Sequence, residues 1–395
     1  MSTICLNSDY RLRIVLVVIA FQCYGSEFCS TAEPPQTAVR QTQFPQKSFG
    51  AIEVIVNEGI AAGQMPGAVV VIADRNEVLY RRAFGQRQVK PVPEPMTVDT
   101  VFDLASLTKP VATATSIMKL IDEGKIDPKR QVSDYLPEFG SNGKDSITVS
   151  DLLLHVGGLI PDNSLRDYRD GPKTSWDKIC ELKPIAVRGK KFAYTDVGFI
   201  VLGMLVQRVS GEPLDRYAEQ QIFAPLGMTE TTFNPPASLK IRAAATEQRD
   251  GKWIKGEVHD PRAHLLEGVA GHAGLFSTAD DLTRYGQQML AIAAGEKSAP
   301  FGKASFQRMT LPRVVPRGSR TFGWDHRSPY SSNRGESLSD QAFGHGGFTG
   351  TVMWIDPGCD RVFIFLSNRL HPDGKGSVNR LAGRIATIVG ESANP

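Results

Sequence analysis

At 395 residues, with 41% hydrophobic content, the chain can bury the core of one large domain or two intimate subdomains. Its 45 basic and 42 acidic residues give a net charge of +3 with no basic block, which excludes the electrostatic footprint of a nucleic-acid binder. Twenty-five prolines and 37 glycines point to many turns, without a repeat period or a low-complexity stretch.

The first segment reads as an export signal. Arg11 and Arg13 precede the apolar run from Ile14 to Phe21, and small residues follow at Ser30, Thr31 and Ala32. The run falls short of the roughly 20 apolar residues that a span requires, so no stable membrane span is expected. The expectation is a signal peptide over 1–32 and a periplasmic or extracellular protein. Cys5, Cys23 and Cys29 would leave with that peptide, so Cys180 and Cys359 remain, able to pair in an oxidising compartment or to stay free thiols, with free thiols favoured. A polar, proline-bearing linker (33–46) leads into a domain spanning 47–392.

Ile52, Ile55, Val56 and Ile60 share one face of a helix that ends near Gly63. Ala68–Ala73 and Val78–Phe84, joined by Asp74-Arg75-Asn76, form a β-hairpin. After a proline-rich loop, an apolar approach reaches Ser106, and helical spacing runs on to Gly124. From about 124 to 260 helices dominate, including a capped one after Thr148 and an apolar one from Val197 to Val209. Thr278 with Asp281 reads as a capping box. Gly350–Ile355 and Val362–Ser367 make a second hairpin, and a helix from Val378 to Val389 closes the chain. The pattern predicts an α/β fold of the α+β type: an antiparallel sheet built from both ends of the chain, flanked by helices, with a mainly helical insertion.

Ser106 and Lys109 stand three residues apart, so on a helix they share a face. A neutral lysine amine can take the proton that makes a serine hydroxyl nucleophilic. The pair is unspecific alone, because Ser116/Lys119, Ser141/Lys144 and Ser175/Lys178 repeat the spacing. Two later stretches select among them. Tyr194 lies in a turn just before a helix. His345 lies among glycines, on a strand edge where backbone can approach a ligand closely.

With these residues in view, the sequence resembles the serine β-lactamase/penicillin-binding-protein superfamily, in its class C β-lactamase, DD-carboxypeptidase and esterase branch. Ser106-x-x-Lys109, Tyr194-Thr195-Asp196 and His345-Gly346-Gly347 follow the family order, at intervals of 88 and 151 residues. Supporting stretches are Gly124–Asp127, His155–Leu159 and Gly271–Thr278. The resemblance implies a Ser106 acyl-enzyme, with Lys109 as base and Tyr194 as proton shuttle. Ser106 and Phe348 would give the oxyanion N–H groups, and Asp196, His345, Gly347 and Phe348 would meet the substrate. It implies no cofactor and no metal.

Two departures stand out: Asp196 replaces an asparagine, and Gly346 replaces a threonine that helps hold a substrate carboxylate. Both favour substrates without that carboxylate. The function expected is an exported hydrolase of an ester or amide, DD-carboxypeptidase-like or esterase, acting on a small molecule or a peptidoglycan peptide. The alternatives are a non-catalytic penicillin or cell-wall-peptide receptor and a weak β-lactamase. His259, Asp260, His264 and His272 cluster in sequence but lack a metal-ligand spacing, so they read as loop structure near the cleft. The reference lysine pKa of about 10.4 predicts a rate rising toward neutral or mildly alkaline pH.

Overall fold

The computed structural model describes residues 46–393, so the segment expected to be a signal peptide and nearly all of the expected linker fall outside the described residues. Gln46, assigned above to the linker, begins the first helix, Gln46–Ala61. Strands β1 (Gly67–Ala73), β2 (Val78–Gln88) and β3 (Glu94–Pro95) follow. Strand β4 (Phe102–Asp103) leads to the Ser106 segment, and β5 (Thr232–Phe233), β6 (Ala245–Arg249), β7 (Lys252–Lys255) and β8 (Leu275–Ser277) lie in the middle of the chain. The C-terminal part supplies β9 (Arg313–Val315), β10 (Gly318–Arg320), β11 (Asp325–Arg327), β12 (Phe343–Gly347), β13 (Thr351–Asp356) and β14 (Arg361–Ser367).

Nine strands form one sheet in the order β3-β2-β1-β14-β13-β12-β11-β10-β9, with every pairing antiparallel. Its centre joins the two ends of the chain: β1 pairs with β14 from Ala68↔Ser367 to Ala73↔Val362. All seven residues of β1 are buried, which explains its unbroken apolar run, because both faces are covered. Ala68, Val70 and Ile72 pack with Ile52, Val56, Leu381 and Ile385 of the two terminal helices. Val69 and Val71 pack with Leu282, Tyr285 and Met289 of the helix Ala279–Ala294. Each valine or isoleucine so enclosed contributes about 1.5–3 kcal/mol.

Several sequence expectations are refined. The helix after Ser106 is a 3₁₀ turn (Ala105–Leu107), a π-helical stretch (Lys109–Ala114) and an α-helix (Thr115–Asp122). Thr115 Oγ1 donates to Pro110 O at 2.8 Å inside the widened turn. Thr278 caps its helix through the Asp281 N–H, but the box is not reciprocal. The Asp281 carboxylate instead accepts from Glu230 N and Thr231 Oγ1. A full capping box occurs at Thr148 with Asp151. The central region also carries the hairpin β6–β7, which polar residues such as Glu247, Gln248 and Lys252 hid from a reading by hydrophobic alternation. Cys180 and Cys359 are free. Among the described residues no single helix is long and apolar enough to cross a membrane.

Candidate active site

Strand β4 pairs with β8 (Phe102↔Ser277, Asp103↔Phe276) and so fixes the approach to Ser106. Asp103 then organises the turn: its Oδ1 accepts the Ala105 N–H at 2.9 Å, and its Oδ2 accepts the His259 N–H at 2.7 Å. Ala105 sits at φ 48°, a left-handed conformation that costs energy for a residue with a Cβ and must be held by its surroundings. The holding groups come from the far end of the chain. Thr349 Oγ1 donates to Asp103 O at 2.7 Å and Thr351 Oγ1 to Leu104 O at 3.0 Å. Gly347 permits this crossing, because a Cβ there would meet Leu104 O at 2.4 Å.

Ser106 is half-buried at the mouth of a cavity of about 400 Å³, whose wall includes Tyr194, Arg320, Asn333, His345, Phe348 and Arg369. Lys109 is fully buried, and its Nζ donates to Ser106 Oγ at 3.1 Å and to His272 O at 3.1 Å. The same Nζ lies 2.6 Å from Asp196 Oδ1. Burial opposes the ammonium charge, but Asp196, then Tyr194, hold Lys109 well above the ordinary lysine range.

Tyr194 enters from the turn before the helix Asp196–Ser210, whose N-cap Thr195 accepts the Gly198 N–H. Its ring stacks on His155 at 4.5 Å between centroids, and His155 Nδ1 accepts the Thr195 N–H at 3.1 Å. His155 is therefore a neutral support, as its burial requires. The Tyr194 hydroxyl has Lys109 and Ser106 as its polar neighbours, and Lys109 Nζ lies 4.8 Å from its ring centroid. Burial pushes the phenol up, against the pull of Lys109.

His345 sits on β12 opposite Met353 of β13. Its Nδ1 lies 2.7 Å from Gly346 O, so Nδ1 carries the proton and Nε2 keeps its lone pair. Burial first, then Arg320 and Lys109, hold its pKa well below the usual histidine value, so it acts as a neutral polar group. Ser106 is the second residue of its 3₁₀ turn, where an N–H has no partner within the helix. Phe348 lies just past β12, and its side chain is 61% exposed at the lip of the cavity, with Arg369 4.4 Å over its ring.

Ser106, Lys109, Tyr194, His345, Gly347 and Phe348 thus come together. Asp196 joins them from behind Lys109 and is not part of the cavity wall, in contrast to the substrate contact expected for it. The clustered histidines divide. His272 Nε2 lies 2.9 Å from Asp260 Oδ1, behind the lysine, while His259 pairs with Asp103 at 3.0 Å. Asp196, Asp260 and His272 present donor atoms within 4.8 Å of one another, a set that could hold a metal ion, although the Lys109 ammonium already faces Asp196 there. Asp162 also borders this group, pushed up by burial and by the charge of Asp196. Asp162, Arg320, Asn333 and Arg369 were not singled out from sequence, since none belongs to a spaced motif.

Chemically, the arrangement joins a serine hydroxyl, an ammonium with a carboxylate behind it and a phenol, with Ser106 and Phe348 on the rim of one opening. Such a set can move a proton away from a hydroxyl and stabilise an oxyanion.

Known proteins share this chain's sequence and fold. The Beta-lactamase family profile matches residues 52–387. An N-acetylmuramyl-L-alanine amidase of Bacillus subtilis (strain 168) is 32% identical, over 86% of this chain and 85% of its own. A protein of Escherichia coli (strain K12) named as a D-alanyl-D-alanine carboxypeptidase is 32% identical over 91% of both chains. The solved structure of EstCE1, a hydrolase with promiscuous acyltransferase activity, shares the fold. Its TM-score is 0.71 at 21% identity, over 87% of this chain and 99% of that one.

Proposed function

The chain belongs to the beta-lactamase family, within the serine β-lactamase/penicillin-binding-protein superfamily, and from that premise we propose a hydrolase that opens an amide or ester bond through an acyl-enzyme on Ser106. The observation that carries this reading is the chain of contacts that runs inward from the cavity mouth, Ser106 Oγ to Lys109 Nζ at 3.1 Å and Lys109 Nζ to Asp196 Oδ1 at 2.6 Å.

Lys109 has no spare capacity as an ammonium, so it relays rather than stores the proton. As Ser106 Oγ attacks the carbonyl carbon, its proton moves to Lys109 Nζ while one Lys109 proton moves to Asp196. The oxyanion collects the N–H groups of Ser106 and Phe348, an interaction whose loss typically costs about 10²–10³ in rate. The bond to the leaving group then breaks, and the leaving nitrogen or oxygen takes the Tyr194 proton. Asp196 returns its proton through Lys109 to the phenolate. Water repeats the sequence on the acyl-enzyme and frees Ser106.

Cell-wall peptides are the substrate class favoured by the relatives' names, an amidase and a carboxypeptidase, and both act on amides. Export by the N-terminal segment would bring the protein to that substrate. Labelling with a fluorophosphonate and with fluorescent penicillin, followed by intact-mass measurement, tests the acyl-enzyme. One adduct per chain on Ser106, absent in Ser106→Ala, is expected; an adduct that persists in that variant would sink the proposal.

A further inference from the structure

The third motif has no side chain at Gly346, and the space one would occupy is already taken. A Cβ built there would lie 2.7 Å from Asn333 Nδ2, with no other atom closer than 3.8 Å. Asn333 ends the short turn Ser331–Asn333, outside all three motifs, and is 2% exposed. The indole of Trp354 donates from Nε1 to Asn333 Oδ1 at 3.1 Å. An indole nitrogen can only donate, so this contact fixes the amide: oxygen toward Trp354, NH₂ toward Gly346. None of the described hydrogen bonds uses Nδ2, and both residues border the cavity that holds Ser106.

Arg320 backs the same wall. It is completely buried, with Nη1 3.3 Å from Asp325 Oδ1, while Nε and Nη2 have no acceptor among the described residues. Asp325 is itself engaged by the His326 N–H (3.0 Å) and the Ser331 hydroxyl (2.7 Å). A buried guanidinium with so little compensation is costly unless an anion completes its surroundings. The wall of this cavity thus carries uncommitted donors at both Asn333 and Arg320.

We propose that Asn333 determines specificity at the Ser106 site: its amide N–H supplies the hydrogen bond to a substrate carboxylate that no side chain at position 346 can give, with Arg320 providing positive potential behind it. The preferred substrates are then acyl compounds carrying a free carboxylate near the scissile bond, the reverse of what the glycine alone suggests. This inference rests on Ser106 as the acylated residue.

Two thioesters with the same acyl group test it, one releasing thioglycolate and the other its neutral methyl ester, with thiol release giving kcat/KM for each. Wild type should prefer the charged substrate by about 10- to 100-fold, the range of a hydrogen bond to a charged group. Asn333→Asp keeps the acceptor for Trp354 but puts a negative charge where the donor was, and should lower that ratio below one. Asn333→Ala should lower the ratio at least tenfold. Adding Gly346→Thr to Asn333→Ala, where the clash is gone, should restore part of it. Thermal denaturation checks that each variant is folded. No preference in wild type, or a preference kept in Asn333→Asp, overturns the assignment while leaving the Ser106 reading intact. Turnover that survives Ser106→Ala overturns that reading instead. If neither thioester is hydrolysed, calorimetry on the Ser106→Ala protein with N-acetyl-D-alanine and its methyl ester decides: tighter binding of the acid supports the role of Asn333, and equal affinity overturns it.

Discussion

Lys109 and Asp196 face each other at 2.6 Å, Nζ to Oδ1, with the lysine wholly withdrawn from solvent. The pairing changes the expected pH behaviour. A serine activated by a free lysine would speed up as the amine loses its proton. Here burial alone would favour the neutral amine, yet the carboxylate and then Tyr194 hold the charge in place well beyond the ordinary lysine range. Asp196 for its part is kept below the usual carboxylate range, since Lys109 and His272 outweigh its burial. The wild-type kcat/KM should therefore show no limb from this pair between pH 5 and 9.

Asp196→Asn should create one. Without the anion, burial dominates and the Lys109 pKa falls, so the amine titrates below its ordinary value. At pH 7 the variant should be about 10²-fold or more slower, the usual scale for acid–base catalysis, and its rate should climb with pH. A pH-rate profile of both proteins measures this; a variant as flat as wild type would count against the relay.

Tyr194→Phe isolates the leaving-group proton. Removing the hydroxyl takes away only its interactions with Lys109 and Ser106, and the ring keeps its stacking on His155. The melting temperature should stay within a degree or two. Acylation by an amide should slow about 10²–10⁴-fold. An activated ester, whose leaving group needs no proton, should lose far less.

Lys144 belongs to another of the Ser-x-x-Lys pairs and has a structural task. Its buried ammonium donates to the carbonyls of Ser141 (2.8 Å), Cys180 (2.8 Å) and Leu182 (2.5 Å), tying down the end of the helix Pro172–Glu181. Lys144→Met leaves those acceptors unserved and should cost about 1–3 kcal/mol. Urea unfolding reads the loss, and labelling of Ser106 in the folded variant should match wild type.

Asp260 links the site to acid stability. Burial would raise its carboxyl, but His272 and the Ala263 N–H hold it far below the usual range. A carboxylate depressed on folding stabilises the native state above its unfolded pKa of about 3.9, and that contribution drains away as pH falls further. The wild-type urea midpoint should thus drop between pH 5 and 2. Asp260→Asn, with no proton to take up, should show a shallower decline and a lower midpoint at pH 7.

The sequence made Ser106, Lys109 and Tyr194 legible because each lies at a fixed offset beside a helix start, where local spacing and tertiary position coincide. Both hairpins and the apolar helix after Tyr194 were legible too, since a continuous apolar run bounded by turn residues, or a helical period, survives without knowledge of partners. Asn333 and Arg320 were not. Their importance arises from an indole 21 residues away and from a carboxylate that is already shared. Asp196 was visible as an odd residue, but the sequence could not show that its carboxylate faces Lys109 at 2.6 Å. The widened turn at Lys109–Ala114 also escaped, because helical periodicity does not tell a π-turn from an α-turn.

The pairing of β1 with β14 imposes an order on biogenesis. A ribosome delivers Gly67–Ala73 nearly 300 residues before Arg361–Ser367, its neighbour in the sheet, and the hydroxyls of Thr349 and Thr351 that brace the Ser106 bend also arrive late. Contacts this distant along the chain form slowly. A nascent chain should therefore keep Ser106 without its braced turn until synthesis is almost finished.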